Sequence, residues 1–130
     1  MVDAEIIREW LAKAGEDFDF ARINHEEQRT FYAQICFHFQ QSAEKYLKAY
    51  IIAHQLTFRK VHDLSMLLNI IVEKDMAFEQ VRDDCEFLAT FYVETRYPVS
   101  WPTQFSQEET EKCYDSAKRI RSFVRERLQL

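Results

Sequence analysis

The sequence has little glycine or proline: its 130 residues contain one Gly and two Pro, the residues that favour tight turns. This scarcity excludes the many turns of a β-sandwich or β-barrel, and it excludes the glycine-rich phosphate loops of Rossmann and P-loop proteins. A chain of this length forms one domain. We therefore predict a single all-α domain that spans residues 1–130.

Cysteine is also scarce, and the sequence lacks a long apolar run. Cys36, Cys85 and Cys113 are far apart and show neither CxxC spacing nor the density of a disulfide scaffold, so we expect free thiols. No leader-like segment and no apolar run of about 18 residues is present, which favours a soluble cytoplasmic protein. The net charge of −5 argues against broad binding to nucleic acid but allows a local basic patch.

Aromatic residues, in contrast, are abundant, with 11 Phe, 6 Tyr and 2 Trp. This exceeds what one small core needs, so we expect some rings to pack against a second chain. The composition therefore predicts an oligomer, most simply a homodimer.

Five segments carry apolar residues at helical spacing and predict an up-and-down antiparallel bundle of four to five helices. The helices are expected after the N-cap Asp3, over about 31–53, after the N-cap Asp63, over about 78–95, and after the capping box Ser106–Glu109. Both prolines fall between residues 96 and 102, which we expect to form a loop.

The second predicted helix has a polar face opposite its apolar stripe. This face carries Phe37, His38, Gln41, Glu44, Lys45 and Lys48. One interpretation is a solvated face on which Glu44 and Lys48 form an i,i+4 pair. The other is a dimer surface or partner site, because an aromatic ring does not suit a solvated face. The fourth helix is apolar on two sides, and the candidate interface residues are Phe37, Gln41, Phe87 and Phe91.

Two charged residues lie on predicted apolar stripes. Asp17 shares a stripe with Trp10 and Ala14, and Arg96 lies one turn beyond Tyr92. A partly buried carboxylate needs a cation or hydrogen-bond donors, so we predict an ion pair between Asp17 and Arg96. A purely structural pair is the simpler reading of these two residues.

The sequence lacks the motifs of several kinds of catalytic and metal site. The histidines lack metal-ligand spacing, one glycine cannot form a Gly-x-Ser-x-Gly elbow, and we expect neither a metal ion nor a cofactor. Basic residues of the last helix suit the negative end of its dipole, with weak phosphate contact as the alternative. These are Lys112, Lys118, Arg119, Arg121, Arg125 and Arg127.

Four strings in this order resemble the HEPN ("higher eukaryotes and prokaryotes nucleotide-binding") domain family. They are Trp10-x3-Ala14-x2-Asp17-x3-Ala21, the string FHFQQSAEKYLKA over residues 37–49, His62-Asp63-Leu64, and Tyr92-x3-Arg96-Tyr97-Pro98. The resemblance covers nearly the whole chain. It implies a helical bundle, a homodimer, and a small nucleotidyltransferase as the partner in a toxin–antitoxin-like pair.

The resemblance also implies a nucleotide or RNA ligand, and many members of the family are metal-independent endoribonucleases with an Arg-x(4 to 6)-His motif. Here Arg22 and His25 are separated by only two residues, as are Arg59 and His62, and no histidine follows Arg96. A noncanonical ribonuclease site would use Arg96 and His62 as catalytic candidates. The candidates for binding a phosphate or nucleotide are Gln41, Lys45, His62, Arg96 and Tyr97. A scaffold that binds only protein is the remaining alternative.

Overall fold

A computed structural model describes residues 2–91 and 105–129, and all regular secondary structure within these ranges is helical. Its elements are α1 (Ala4–Glu26), α2 (Tyr32–Ala53), α3 (Leu64–Val72), a 3₁₀ helix (Met76–Val81), α4 (Arg82–Ala89) and α5 (Gln107–Leu128). The predicted all-α helical bundle is confirmed. None of these helices is both long and apolar enough to span a membrane.

The three predicted N-caps are confirmed by side-chain hydrogen bonds to the first turns of their helices. Asp3 Oδ1 accepts from the Glu5 amide at 2.9 Å, and Asp63 Oδ1 accepts from the Ser65 amide at 2.9 Å. Ser106 Oγ accepts from the Glu109 amide at 3.2 Å. Each bond satisfies a backbone donor that the helix itself leaves unpaired, which fixes where the helix begins.

The prediction of one continuous α-helix over 78–95 is wrong at its start. A 3₁₀ helix precedes α4, because Asp75 accepts from the Ala77 amide at 3.0 Å and its carbonyl accepts from the Phe78 amide at 3.2 Å, which sets a tighter turn. The predicted helix end and the proline-containing loop lie outside the described residues.

Helix α2 lies at the centre of the fold and packs against α1, α3, α4 and α5. Its predicted apolar stripe is buried, and the Phe39 ring packs edge-on against Phe18 of α1, with ring centroids 5.8 Å apart. From α5, Tyr114 lies 5.5 Å from the same Phe39 ring. The three cysteines are buried free thiols.

The Phe91 ring lies in the core of the single chain. Only 3% of Phe91 is exposed, and its ring packs on Phe87 at 5.2 Å and on Phe105 at 5.6 Å between centroids. Because neighbouring rings of the same subunit already cover it, we do not carry Phe91 forward as an interface residue. Phe87 and Phe37 are half-buried, and their place in an interface stays a prediction.

Candidate functional site

Part of the polar face of α2 is covered by the rest of the chain, so the expectation of a solvated face is wrong for Glu44 and Lys48. Their predicted i,i+4 pair is present, with Lys48 Nζ 2.9 Å from Glu44 Oε2, but the two side chains are only 7% and 5% exposed. The segment between α2 and α3 produces this burial, since the Phe58 ring lies 5.7 Å from Lys48 Nζ and His62 contacts Glu44.

Asp17 of α1 forms the first charged cluster with two residues of α2. His38 Nδ1 lies 3.0 Å from Asp17 Oδ1, and Lys45 Nζ donates to Asp17 Oδ2. Burial of the Asp17 carboxyl raises its pKa, but the hydrogen bonds and charges of His38 and Lys45 outweigh this and lower the pKa below its usual value. The carboxylate therefore stays ionised at neutral pH and holds the Lys45 ammonium on the surface of α2.

Glu44 is the centre of a second cluster, one turn from the first. His62 Nδ1 lies 3.0 Å from Glu44 Oε2, the same oxygen that Lys48 Nζ contacts. Two glutamines extend the cluster: Gln41 Nε2 donates to Gln40 Oε1 at 2.7 Å, and Gln40 Nε2 donates to the His62 carbonyl at 3.2 Å. The buried carboxylate thus has a cation, Lys48, and further hydrogen-bond partners around it, as a buried charge requires.

A cavity of about 570 Å³ opens beside Lys45. Its described lining includes Trp10, Lys13 and Glu9 of α1 together with Lys45 of α2. The indole of Trp10 packs edge-on against Phe58, with ring centroids 6.0 Å apart, and Phe58 in turn covers Lys48. Aromatic rings therefore connect the cavity to the Glu44 cluster. The arrangement offers one partly exposed indole ring and two lysines, beside one glutamate, to an anionic aromatic ligand.

Aromatic side chains form a patch on the other side of the Asp17 cluster. The Phe20 ring lies 4.5 Å from the His38 ring, and the Phe37 ring lies 5.6 Å from it, centroid to centroid. Phe20 is 48% exposed, while Phe37 is half-buried. We call Phe20, Phe37 and His38 the aromatic patch. It lies directly beside Gln41, one turn further along α2.

Comparison with known proteins decides the family. The family model described as the HEPN domain matches residues 7–127. The chain belongs to the HEPN domain family. The match spans the helices that position both charged clusters, and it confirms the resemblance of the sequence strings.

Solved structures support the same HEPN fold. The crystal structure of TT1696 from Thermus thermophilus is 29% identical, with a TM-score of 0.82 and coverage of 92% of this chain and 96% of that chain. ST0689, an archaeal HEPN homologue, is 23% identical with a TM-score of 0.74, over 93% of this chain and 96% of its own. An HEPN domain protein from Thermotoga maritima, tm0613, is 21% identical with a TM-score of 0.74, over 93% of this chain and 98% of its own. No curated protein matches the chain.

The HEPN fold brings some of the sequence-predicted site residues together. Gln41 and His62 both contact Glu44, whereas Lys45 contacts Asp17 and lines the cavity. Arg96 and Tyr97 lie outside the described residues, so the pair of Asp17 with Arg96 stays a prediction; within the described residues, Asp17 contacts His38 and Lys45 instead.

Sequence reasoning missed His38 and Trp10 as members of this HEPN site. His38 precedes Lys45 by seven residues, which is two helical turns, and this spacing already placed both on one face. Trp10 precedes Asp17 by the same seven residues, and the sequence analysis placed both on one stripe of α1, but its contact with Phe58 joins two segments far apart in the sequence and carried no signal. Among the described residues, no three His, Cys, Asp or Glu side chains are grouped to hold a metal ion.

Proposed function

We propose that this HEPN protein binds the phosphate of a nucleotide or of RNA at Lys45, with the base packed on Trp10, and that it does so as a homodimer. One observation carries the proposal: Lys45, held by Asp17, lines the same cavity as the Trp10 indole. A cation beside an aromatic surface is what a phosphorylated base requires.

The electrostatics of the cavity support a phosphate ligand. The Lys45 side chain is 29% exposed and forms an ion pair with one carboxylate, that of Asp17. Its ammonium group can therefore still bind a phosphate from solvent. Lys13 lies at the rim and is exposed, where its ion pair with Glu16, at 3.5 Å, is weak. Two lysines and one glutamate, Glu9, therefore line the cavity, which leaves one net positive charge.

Loss of the Lys45 charge tests the binding site. We expect Lys45→Gln to weaken binding of ATP or of a single-stranded RNA oligonucleotide about tenfold, equivalent to about 1.4 kcal/mol, in isothermal titration calorimetry. Lys112→Gln is the matched control, since Lys112 is an exposed lysine of α5 remote from the cavity lining. Equal weakening by both variants, or no binding to the wild-type chain, would contradict the site.

The contribution of the indole is tested separately. Trp10→Phe keeps an aromatic surface and is expected to retain most of the affinity, whereas Trp10→Ala removes the surface and is expected to cost about 1–3 kcal/mol of binding free energy. If both variants bind as the wild-type chain does, the base does not pack on Trp10.

A small nucleotidyltransferase is the partner that family resemblance implies for a toxin–antitoxin-like pair. Co-expression of the two chains followed by size-exclusion chromatography tests this association. Separate elution of the two proteins at micromolar concentration would argue against a stable pair.

A further inference from the structure

A second cavity of about 320 Å³ lies between α1 and α5, on the other side of α1 from Asp17. Three arginines line it: Arg8 from α1, and Arg121 and Arg125 from α5. Arg121 and Arg125 are four residues apart, so they lie on the same face of α5, one turn from each other. Tyr46 of α2 also lines the cavity and is buried.

The three guanidinium groups have no carboxylate partner among the described residues. Asp19 is the one acidic residue that the described lining contains, and its carboxylate makes an ion pair with Arg22 at 3.6 Å. The cavity is thus positively charged in a chain whose net charge is −5. Clustered like charges repel each other, so an anion between them is favourable.

Arg121 also has an unsatisfied hydrogen-bond donor. Its Nε is buried and has no hydrogen-bond partner in the described part of the chain, and its guanidinium carbon lies 4.9 Å from the centroid of the Phe18 ring. A buried donor without a partner costs free energy, and an acceptor oxygen of a ligand removes that cost.

The Tyr46 hydroxyl adds a second donor. Burial raises the pKa of Tyr46, and although the charges of Arg121 and Arg125 and a hydrogen bond from Arg121 act in the opposite direction, the net shift is upward. The phenol therefore stays protonated at neutral pH and can donate a hydrogen bond to an anion.

Gly15 forms part of the cavity lining and is the chain's one glycine. It lies inside α1, where glycine is unfavourable relative to alanine, and its φ is not positive. A Cβ at this position would meet Tyr46 Oη at 3.8 Å, an ordinary contact. Neither backbone conformation nor close packing requires a glycine here, but its missing side chain leaves the cavity open.

We propose that this cavity binds the phosphoryl groups of a small phosphorylated molecule. Guanidinium groups bind phosphate oxygens through paired hydrogen bonds, and three arginines from two helices line this cavity. The size of the cavity and its lining by three helices favour a small ligand over an extended nucleic-acid backbone. The two cavities adjoin at Ala12, which lines both, but their charged linings differ: Lys45 lines the first cavity, and the three arginines line this one.

The test titrates tripolyphosphate into the full chain by isothermal titration calorimetry at fixed salt concentration. We expect one binding event per chain, and at least tenfold weaker binding to Arg125→Gln and to Arg8→Gln. Arg29→Gln is the matched control, because Arg29 is an exposed arginine of the turn after α1, and it is expected to change binding less than twofold. Lys45→Gln is likewise expected to leave tripolyphosphate binding unchanged, which separates this site from the proposed nucleotide site.

A blocking variant tests the cavity without changing any charge. Gly15→Leu extends a side chain into the cavity and is expected to abolish tripolyphosphate binding, while the circular dichroism spectrum remains helical. If the leucine variant does not fold, Gly15→Ala replaces it. The alanine variant is expected to weaken binding and to raise the melting temperature. Absence of binding to the wild-type chain, equal weakening by Arg29→Gln and Arg125→Gln, or binding of single-stranded RNA but not tripolyphosphate would overturn the proposal.

Discussion

At the residue scale, the charged side chains of α2 are held by partners from other segments. Asp17 comes from α1, and His62 comes from the segment before α3. Asp17 and Glu44 each contact one lysine and one histidine, so removal of the lysine leaves a largely buried carboxylate with less compensation for its charge. The polar face of α2 is for this reason both a candidate binding surface and a contributor to stability.

Removal of the Asp17 charge tests that contribution. We expect Asp17→Asn to lower the free energy of unfolding at pH 7 by about 1–3 kcal/mol, because the carboxylate is only 15% exposed and accepts from two charged or polar donors. Urea denaturation followed by circular dichroism measures the change. Glu16→Gln, which breaks an exposed ion pair with Lys13, is the control and should cost less than about 0.5 kcal/mol.

The same variant has an expected pH dependence. The pKa of Asp17 is lowered in the folded chain, so its contribution to stability is present above the unfolded pKa, about 3.9, and is lost as pH falls through the lower folded value. The stability difference between wild type and Asp17→Asn should therefore be constant from pH 7 down to about pH 5 and should shrink below about pH 4. A difference that persists unchanged at pH 2 would show that the charge is not its cause.

At the scale of elements, helix starts follow from local chemistry. The Asp3, Asp63 and Ser106 side chains each cap the helix that the sequence pattern predicts after them. The start of the fourth helix was predicted wrongly because the apolar spacing of a 3₁₀ turn and of an α-helical turn differ little over six residues. Where a single turn decides between a 3₁₀ helix and an α-helix, local hydrogen bonds such as those of Asp75 set the start of the helix.

The cap of α3 offers a direct measurement. We expect Asp63→Ala to lower the free energy of unfolding by about 1 kcal/mol, since the Ser65 amide loses its acceptor. Asp63→Asn keeps an acceptor oxygen and is expected to cost only a few tenths of a kcal/mol. Chemical denaturation of both variants shows whether Asp63 stabilises α3 by accepting the hydrogen bond or by its negative charge. If the asparagine variant is as unstable as the alanine variant, the carboxylate acts by its charge and not by capping.

At the scale of the whole molecule, the surplus of aromatic residues divides between core and surface. Phe91 is in the core, whereas the aromatic patch of Phe20, Phe37 and His38 lies at the surface beside Gln41. An exposed aromatic patch next to polar groups is typical of a protein interface. A second copy of this chain is the occupant that we propose.

Light scattering at micromolar concentration tests this dimer. We expect a dimeric mass for the wild-type chain and a monomeric mass for Phe20→Glu and Phe37→Glu, because each places a charge on the patch that the second copy would bury. Met76→Glu, at an exposed apolar residue of the 3₁₀ helix, is expected to remain dimeric. A monomeric wild-type chain would remove the basis for the interface.

The sequence by itself determined the helical class, the three capped helix starts, the buried stripe of α2 and the family, because these depend on residues adjacent in the chain or one turn apart. Only the tertiary structure decided that Asp17 contacts His38 and Lys45, that Glu44 and Lys48 are buried, and that Arg8 lines one cavity with Arg121 and Arg125. The physical reason is that helical periodicity fixes which side chains share a face, whereas the rotation and packing of one helix against another fix which faces meet.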